Sequence, residues 1–539
     1  MRFWYPAALV FSAATASAQT PPSPPPPAAP AEQPICAFGQ DAAAYRQEAY
    51  CSAQVALRSG IARSFALLSA RMAATDDKLG LALRRMQDAD ARVDLLIQAE
   101  RAARADAAAK DRLASARERL DTAIGERDAA RVALETAYPQ WTALTRPSPI
   151  SEQQTRALLK PGETMIFWLV GDDQTFAFAI DRDRASWQRI AVGRAALERS
   201  ILGLREALGV AGRVRGAVAM HSDNQDAATF RARAAALQAQ LFPSSIGTAA
   251  RRAGTLLLVP SGPLIALPFA ALPTGTGRDP RWLGLQKPIA LLPSPADLRT
   301  LRARPPVADV RTPFAGFGAP RLTAAAVAAN PASRGSALRA AIADLPALPE
   351  AAAELRSLAA AVGAPATSVR TGTDATERAV KTADLAKARI VAFATHGLIA
   401  GEIDGVDEGA LVLTPPGAPD AIDDGLLTAS EAAQLHLDAD WVLLSACSTA
   451  AGDRVGGEAL SGLAAAFGYA GARALLVSHW QVRDDAARRL TTLAVTNRAL
   501  GRGEAVRRAM RDIATDRRHP EWHDPAIWAV MTLIGDPAR

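Results

Sequence analysis

A histidine and a cysteine each follow an apolar segment that is typical of a buried strand. His396 lies at the end of "RIVAFATHG", and Cys447 lies at the end of "WVLLSACS". If these segments are neighbouring parallel strands, both side chains lie at the carboxyl edge of a sheet, where α/β proteins form their sites. An imidazole beside a thiol generates the nucleophilic thiolate. The pair therefore predicts nucleophilic catalysis, with His396 as general base and later as the acid that protonates a leaving amine.

Backbone amides beside this pair are candidates for an oxyanion hole. Gly397 directly follows the histidine, and glycine lets the backbone approach a reacting carbonyl closely. We expect the amides of Gly397 and Cys447 to hold the oxyanion. The residues alone leave a second interpretation open, in which Cys447 is an inert buried thiol and His396 a capping side chain.

Strand-like and helix-like segments alternate from residue 149 to the end of the chain, and these elements must position the two residues. Segments such as "TMIFWLVG", "GTLLLVP" and "RALLVSHW" are apolar throughout, and alanine-rich segments such as "LPEAAAELRSLAAAVG" separate them. Apolar strands joined by helical crossovers indicate a mostly parallel sheet covered on both faces. The predicted fold class is therefore α/β with three layers, α/β/α, in two rounds of strands and helices at 149–305 and 306–539.

The N-terminus resembles an export signal. In residues 1–18, Arg2 precedes the apolar "FWYPAALVFSAA", and small residues allow cleavage after Ala18. Pro6 and the single arginine leave an uncleaved anchor as the alternative, although the run is shorter than the roughly 20 residues that span a membrane. Nothing later reaches spanning length without charges. We expect a soluble periplasmic or secreted protein without an integral membrane segment after signal cleavage.

A proline-rich linker and a helical region come next. Residues 19–35 have a polyproline-type composition that cannot pack a core. Residues 36–146 are rich in helix-forming residues, and apolar positions recur at helical spacing, which predicts a helical hairpin rather than a long coiled coil. This helical arm is expected either to bind an activating protein or to be a solvated structural hairpin.

The chain has only three cysteines, and an oxidising compartment permits disulfides. Cys36 and Cys51 lie close together near the expected mature N-terminus, so they are the candidate disulfide pair. Cys447 is then left over. A leftover thiol in an exported protein is either buried and inert or kept reduced because it reacts.

Charge and histidine spacing argue against two other classes of protein. The 61 basic and 55 acidic residues are interleaved, and no basic run contains aromatic residues, so we expect no nucleic-acid partner. His519 and His523 have the spacing of a helical metal pair, but Pro520 interrupts the helix. No metal or organic cofactor is expected, and His436 is expected to be structural.

Three acidic residues lie on loops that the sequence places near His396. Solvated loops are the simpler interpretation, and a role in a substrate subsite is the alternative. These residues are Asp404, Asp407 and Asp423.

The motifs together resemble the CHAT domain, a bacterial relative of caspases and separases among the caspase-like cysteine peptidases. The resemblance rests on "FATHG", "LLSACSTA" and "GGEALSGLAAAFGYAGARALLVSHWQVRDD", and it extends from Pro149 to the end of the chain. It implies a caspase-like sheet whose N-terminal half, 149–305, is pseudo-caspase-like and whose C-terminal half, 306–539, is catalytic. It also implies a peptidase with His396 as base, Cys447 as nucleophile and a substrate strand along the sheet edge.

The resemblance further implies a pocket for the P1 side chain. Asp484 is the first acidic residue after the Trp-x-Val-x pattern, and in relatives this residue contributes to a pocket that selects Arg or Lys. A carboxylate in the first turn of a helix is also a common cap, so Asp484 or Asp485 has a structural alternative.

The sequence departs from the family pattern at two places near the site. The residues 448–450 read Ser-Thr-Ala where relatives often have Glu-Thr-Gly, and His479 stands where the family usually has an apolar residue. The tetratricopeptide array common in the family is also missing. These differences bear on the shape of the oxyanion loop and on activation.

The sequence therefore predicts an exported caspase-like cysteine endopeptidase that cleaves protein or peptide substrates, with a basic P1 residue as the expected preference. The alternative is a catalytically silent CHAT fold that serves as an interaction scaffold in the cell envelope. A third reading, a plain envelope scaffold, would make the paired motifs coincidental.

Overall fold

The computed structural model describes residues 44–57, 110–137, 149–210, 224–274, 281–303, 312–322, 341–398, 409–417, 422–445, 470–480 and 483–538, with scattered residues at 82–96, Val406 and several between 463 and 468. The expected signal peptide, the proline-rich linker, Cys36 and Cys447 lie outside these residues.

The first described helix, α1 (44–57), packs into the core of the following domain. Its Tyr50 is fully buried between Phe167 and Phe178, with ring centroids 6.2 and 5.6 Å apart. The Nε atom of Arg46 lies 2.7 Å from Oε1 of Glu152. This part of the predicted arm is therefore attached to the domain. The second helix, α2 (Lys110–Ala137), is joined to the preceding helical region by an ion pair between Arg92 and Glu126 at 2.9 Å.

Eleven strands form one large sheet in the order β3-β2-β1-β4-β5-β14-β13-β12-β8-β6-β7. A three-stranded sheet has the order β11-β10-β9. The strands are β1 (Glu163–Val170), β2 (Thr175–Ile180), β3 (Ala185–Ile190), β4 (Thr255–Val259), β5 (Ile289–Leu291), β6 (Ala315–Pro320), β7 (Val369–Gly372), β8 (Ile390–Ala394), β9 (Gly397–Leu398), β10 (Ala410–Val412), β11 (Leu426–Thr428), β12 (Trp441–Leu444), β13 (Ala474–Ser478) and β14 (Met531–Gly535).

Most neighbouring strands of the large sheet are parallel. The antiparallel pairs are β1 with β2, β2 with β3, and β13 with β14. All residues of β8, β12 and β13 are buried, as expected for strands that are covered on both faces. The predicted α/β class with a mostly parallel sheet is confirmed.

Helices pack against this sheet and against one another. They are α3 (Glu152–Leu158), α4 (Arg194–Ala207), α5 (Asn224–Leu241), α6 (Ser244–Arg252), α7 (Leu283–Gln286), α8 (Asp297–Ala303), α9 (Ala351–Ala361), α10 (Glu377–Lys381), α11 (Ala429–Ala433), α12 (Asp484–Thr496), α13 (Arg502–Ala514) and α14 (Pro525–Trp528). Helix α9 contacts β6, β8 and α12. In the described part of the chain, none of the helices has the length and apolar character needed to cross a membrane.

The last strand joins the two rounds of strands into a single sheet. β14 pairs with β13 in antiparallel fashion and with β5 in parallel, through Ile534 and Leu291. Buried charges reinforce this junction, because the Arg302 guanidinium lies 2.7 Å from Glu163 and 3.2 Å from Asp536. The end of the chain is therefore part of the core that supports the site.

Candidate active site

The two strands that precede the predicted catalytic residues are neighbours. β8 and β12 run parallel with Phe393 opposite Leu444, and the Ser445 amide continues the ladder by donating to the Phe393 carbonyl at 2.9 Å. This confirms the predicted adjacency of the two strands. His396 and Cys447 each stand three residues beyond the Phe393–Leu444 pair, although Cys447 itself lies outside the described residues.

The backbone around His396 is held by the small sheet. The His396 carbonyl accepts the Val412 amide at 2.9 Å, and the Thr395 hydroxyl donates to the Val412 carbonyl. His396 is only 8% exposed. Because β10 fixes the backbone on this side, the imidazole leaves the carboxyl end of β8 in a defined direction.

The imidazole has a backbone partner. Nε2 of His396 lies 2.7 Å from the carbonyl oxygen of Pro346. A carbonyl oxygen only accepts hydrogen bonds, so Nε2 carries the proton in the neutral ring. The lone pair of the neutral imidazole is therefore on Nδ1, which is the atom that can act as a base.

A small apolar cluster positions the Pro346 carbonyl. Leu345 is 7% exposed and packs with Leu398, two residues after the histidine, and with Val412. The amide of Val412 donates to the His396 carbonyl. The whole cluster comprises Ile342, Leu345, Leu398, Val406, Ala410, Val412 and Leu426. Sequence reasoning missed Pro346, because a backbone carbonyl has no residue-type signal.

The amide of Gly397 points away from the small sheet. Gly397 is opposite Leu411 in the β9–β10 pair, and the flanking hydrogen bond runs from Val412 to His396. In an antiparallel ladder this arrangement makes Gly397–Leu411 a non-hydrogen-bonded pair. The Gly397 N–H is therefore not used by β10, which is what an oxyanion donor requires.

A buried carboxylate holds the end of the strand that leads to Cys447. Glu354 in α9 is 6% exposed and accepts the Ser445 hydroxyl at 2.8 Å and the Thr491 hydroxyl at 2.9 Å. It thereby ties the end of β12 to α9 and α12. Glu354 was not predicted as a site residue, although a glutamate between apolar positions of "AAAELRSLAAA" indicates a buried charge.

The residue that is predicted to select the P1 side chain, Asp484, stands at the start of α12. Asp484 is the first helical residue, and the structure gives no description of its side chain. Asp485 accepts Arg483 at 2.7 Å and the Ala486 amide at 2.8 Å, and its hydrogen bond to Arg483 lowers the pKa of the Asp485 carboxyl. Asp485 is therefore engaged at the helix start, and the pocket role of Asp484 stays a prediction.

His479 is enclosed directly after β13. It is 2% exposed, and burial together with the charge of Arg205 lowers the pKa of its imidazole to about 3. Its Nδ1 meets no hydrogen-bond partner among the described residues. The next residue, Trp480, donates to the Ala526 carbonyl at 2.8 Å and lies 5.8 Å beneath the Arg205 guanidinium. His479 is thus a neutral core residue at a position where relatives are usually apolar.

Two further predicted residues are enclosed by the fold. Cys51 is buried in α1, where Gln47 donates to its sulfur at 3.6 Å, and its proposed partner Cys36 is not described. Asp423 is 3% exposed and accepts the Arg378 amide at 3.2 Å. Asp404 and Asp407 lie outside the described residues, so the subsite interpretation stays a prediction.

Two further histidines, His519 and His523, have local contacts. His519 stacks on Trp522 at 3.8 Å between ring centroids and lies 3.0 Å from Glu521, whereas His523 lies 3.0 Å from the Asp516 carbonyl. His436 is exposed. Within the described residues, no group of three or more His, Cys, Asp or Glu side chains is arranged to hold a metal ion.

Comparison with known proteins places the chain in a class. The family model of the CHAT domain matches residues 227–536, so the chain belongs to the CHAT domain family and the predicted resemblance is confirmed. No curated protein matches the chain. Two crystal structures of the Saccharomyces cerevisiae separase–securin complex, at 2.6 and 3.0 Å resolution, are similar at 10% identity with TM-scores of 0.43 and 0.45. The matches cover 79% and 78% of this chain but 34% of those chains, so this chain spans about a third of their length.

Proposed function

We propose that this protein is an exported cysteine endopeptidase in which Cys447 is the nucleophile and His396 the general base. The observation that carries the proposal is the bond between His396 Nε2 and the Pro346 carbonyl, 2.7 Å long, at the carboxyl edge of β8. That bond leaves Nδ1 as the basic nitrogen. The neighbouring strand β12 runs in parallel and continues to Cys447 at the same distance along the chain.

In the first half of the reaction, Nδ1 of His396 takes the proton of the Cys447 thiol. The thiolate attacks the scissile carbonyl carbon, and the carbonyl oxygen becomes an oxyanion that accepts the amides of Gly397 and Cys447. When the tetrahedral intermediate collapses, the carbon–nitrogen bond breaks. The imidazolium gives its proton to the leaving amine, and a thioester remains on Cys447.

In the second half, a water molecule hydrolyses the thioester. Nδ1 of His396 removes a proton from the water, whose oxygen attacks the thioester carbonyl. The carbon–sulfur bond breaks, the carboxylic acid product leaves, and the proton returns to the thiolate of Cys447. The bond to Pro346 keeps Nε2 protonated throughout, so the ring does not change orientation between the steps.

The proposal also includes a preference for particular substrates. Asp484 at the start of α12 is the proposed carboxylate of a pocket for Arg or Lys at P1, where a charge-assisted hydrogen bond selects a basic side chain. The substrate is an extended segment of a protein or peptide. Residues 1–18 direct the chain to the periplasm or beyond, and the helical region binds an activating protein.

The activity test compares the purified protein with Cys447→Ser and His396→Ala on a peptide library. We expect cleavage by the wild type and a loss of at least about 100-fold in each variant. Cleavage that survives both substitutions contradicts the Cys–His pair. Absence of cleavage by wild type, with and without candidate activating proteins, favours the silent scaffold.

The P1 test uses a matched pair of neighbouring carboxylates. Asp484→Asn should lower the preference for Arg and Lys over neutral P1 residues by about tenfold or more, because a charge-assisted pair is lost. Asp485→Asn is the control, since its carboxylate is already engaged by Arg483 and Ala486. Equal effects of the two substitutions would contradict a specific role for Asp484.

A further inference from the structure

An open cleft of about 500 Å³ lies at the β3 edge of the large sheet, far along the strand order from β8 and β12. Its walls come from α3, from the turn before β3 and from α6. Three arginines from these three elements line it: Arg156, Arg184 and Arg252. Their convergence from separate parts of the chain is the observation that calls for a ligand.

The helix α6 turns a polar face to this cleft. Ser245, Thr248 and Arg252 line the cleft at helical spacing, whereas Ile246 and Ala249 on the other face are buried. The Thr248 hydroxyl already donates to the Ser244 carbonyl at 2.9 Å. Ser245 and, across the cleft, Ser186 at the start of β3 are therefore the hydroxyl donors that the cleft offers.

The charge of the lining is positive. Three guanidinium groups and one carboxylate, that of Asp183, line the cleft, so the formal charge of its lining is +2. The carboxylate of Asp181 lies 3.7 Å from the Arg252 guanidinium. This distance is longer than that of a charge-assisted hydrogen bond. Arg184 is exposed and forms no ion pair within the described residues.

Arg156 has only a distant carboxylate partner within the described residues. Its Nη2 lies 4.0 Å from Glu152, whose carboxylate is held more closely by Arg46 at 2.7 and 3.1 Å. Its Nε is enclosed by protein and has no acceptor among the described residues. Its Nη2, which lies 4.0 Å from the Glu152 carboxylate, has donors left for an anion in the cleft.

We propose that this cleft binds a phosphate group. A phosphate dianion matches the lining charge of +2, and its oxygens can accept from three planar guanidinium groups and from the hydroxyls of Ser186 and Ser245. A carboxylate carries one charge and two oxygens, so it would leave donors unmet. The phosphate comes either from a small soluble compound or from a lipid headgroup, and the chemistry of the cleft is the same for both.

The position of the cleft links the ligand to the N-terminal helix. Arg156 stands one turn after Glu152, the residue that holds Arg46 of α1. A bound phosphate attracts Arg156 away from Glu152, so Glu152 is left to Arg46 alone. The site does not depend on the peptidase activity, because it lies in the part of the sheet formed by β1–β3.

The test uses the full-length protein in two binding assays. Calorimetry measures the binding of inorganic phosphate, and sedimentation measures binding to vesicles of phosphatidic acid or phosphatidylcholine. Arg184→Gln should weaken binding about tenfold or more. Arg182→Gln is the matched control, because it is exposed in the same turn, does not line the cleft and removes the same charge. It should change affinity less than twofold.

The ligand arms separate the two sources of phosphate. Saturable binding of inorganic phosphate supports a soluble ligand, whereas binding to phosphatidic acid vesicles without binding of free phosphate supports a lipid headgroup. Absence of binding in both arms overturns the proposal, and so does an equal loss in Arg184→Gln and Arg182→Gln. Cys447→Ser should bind like the wild type, which keeps this outcome separate from that of the peptidase test.

Discussion

Nε2 of His396 donates to the carbonyl oxygen of Pro346 over 2.7 Å, and this bond decides which nitrogen of the ring is basic. It joins the end of β8 to a segment fifty residues earlier in the chain. Leu345, buried in the small apolar cluster, fixes that segment next to β9 and β10. The base is therefore oriented by a backbone carbonyl and by apolar packing.

The first prediction separates the base from its anchor. His396→Gln should cut peptide cleavage by about 10²- to 10⁴-fold, because an amide cannot accept the thiol proton. The side-chain N–H₂ of the glutamine can still donate to the Pro346 carbonyl. The free energy of unfolding of His396→Gln should therefore be about 1 kcal/mol higher than that of His396→Ala. Kinetics on a peptide substrate and urea titration measure the two effects. Cleavage near the wild-type rate in His396→Gln would contradict the role of the base.

The second prediction concerns the two hydroxyls that Glu354 accepts. Ser445→Ala and Thr491→Val each remove one of them and should each lower the free energy of unfolding by about 1–2 kcal/mol. Only Ser445→Ala should also lower the rate of cleavage, because Ser445 lies two residues before Cys447 whereas Thr491 is on α12. Equal rates in the two variants would show that Glu354 acts on stability alone.

Apolar pattern was sufficient to predict the sheet and the strands of the site. The segments that became β8 and β12 contain only apolar residues and are completely buried, so the pattern and the environment agree. The side chain of His396 could be placed at the sheet edge because parallel strands share their carboxyl ends.

Long-range contacts could not be predicted from the apolar pattern. The insertion of β14 between β5 and β13 depends on pairing across most of the chain, and a short apolar segment does not specify its neighbours. The attachment of α1 through Tyr50 depends on a pocket formed by Phe167 and Phe178. An alanine-rich helix with two tyrosines gives no sign of which one enters such a pocket, so the sequence predicts only an arm there.

The third prediction follows from Glu377, which is 1% exposed. Burial raises the pKa of its carboxyl to about 7, partly opposed by the hydrogen bond from Lys381 and reinforced by the charge of Glu431. The folded state then holds the proton more tightly than the unfolded state, whose glutamate titrates near 4.3. The resulting stability is present at low pH and is lost as the pH rises to about 7. Relative to Glu377→Gln, the wild type should therefore lose about 1–3 kcal/mol of unfolding free energy between pH 5 and pH 8.

Urea titrations at several pH values measure this loss. Glu350→Gln is the control, because its carboxylate is half exposed and lies 3.4 Å from Arg488. We expect its curve to stay parallel to that of the wild type. A parallel curve for Glu377→Gln as well would contradict a raised pKa for Glu377.

The fourth prediction has the opposite sign and comes from His479. Its pKa of about 3 in the fold, lowered by burial and by Arg205, lies below the value of about 6.5 in the unfolded chain. The unfolded state therefore takes up a proton first, and stability is lost as the pH falls below about 6.5. Between pH 7 and pH 5 the wild type should lose about 2 kcal/mol relative to His479→Leu.

The two titrations overlap between pH 5 and pH 7, where Glu377 becomes destabilising with rising pH and His479 with falling pH. The wild-type protein alone should consequently show a shallow pH dependence there, because the two contributions nearly cancel, and each becomes visible in the variant that removes the other group. His436→Gln, at an exposed histidine, is the control for His479→Leu and should leave the wild-type curve unchanged. At pH 7, His479→Leu should be at least as stable as the wild type, because it removes a buried Nδ1 that has no partner among the described residues. A lower stability at that pH would indicate that His479 makes a contact which leucine cannot replace.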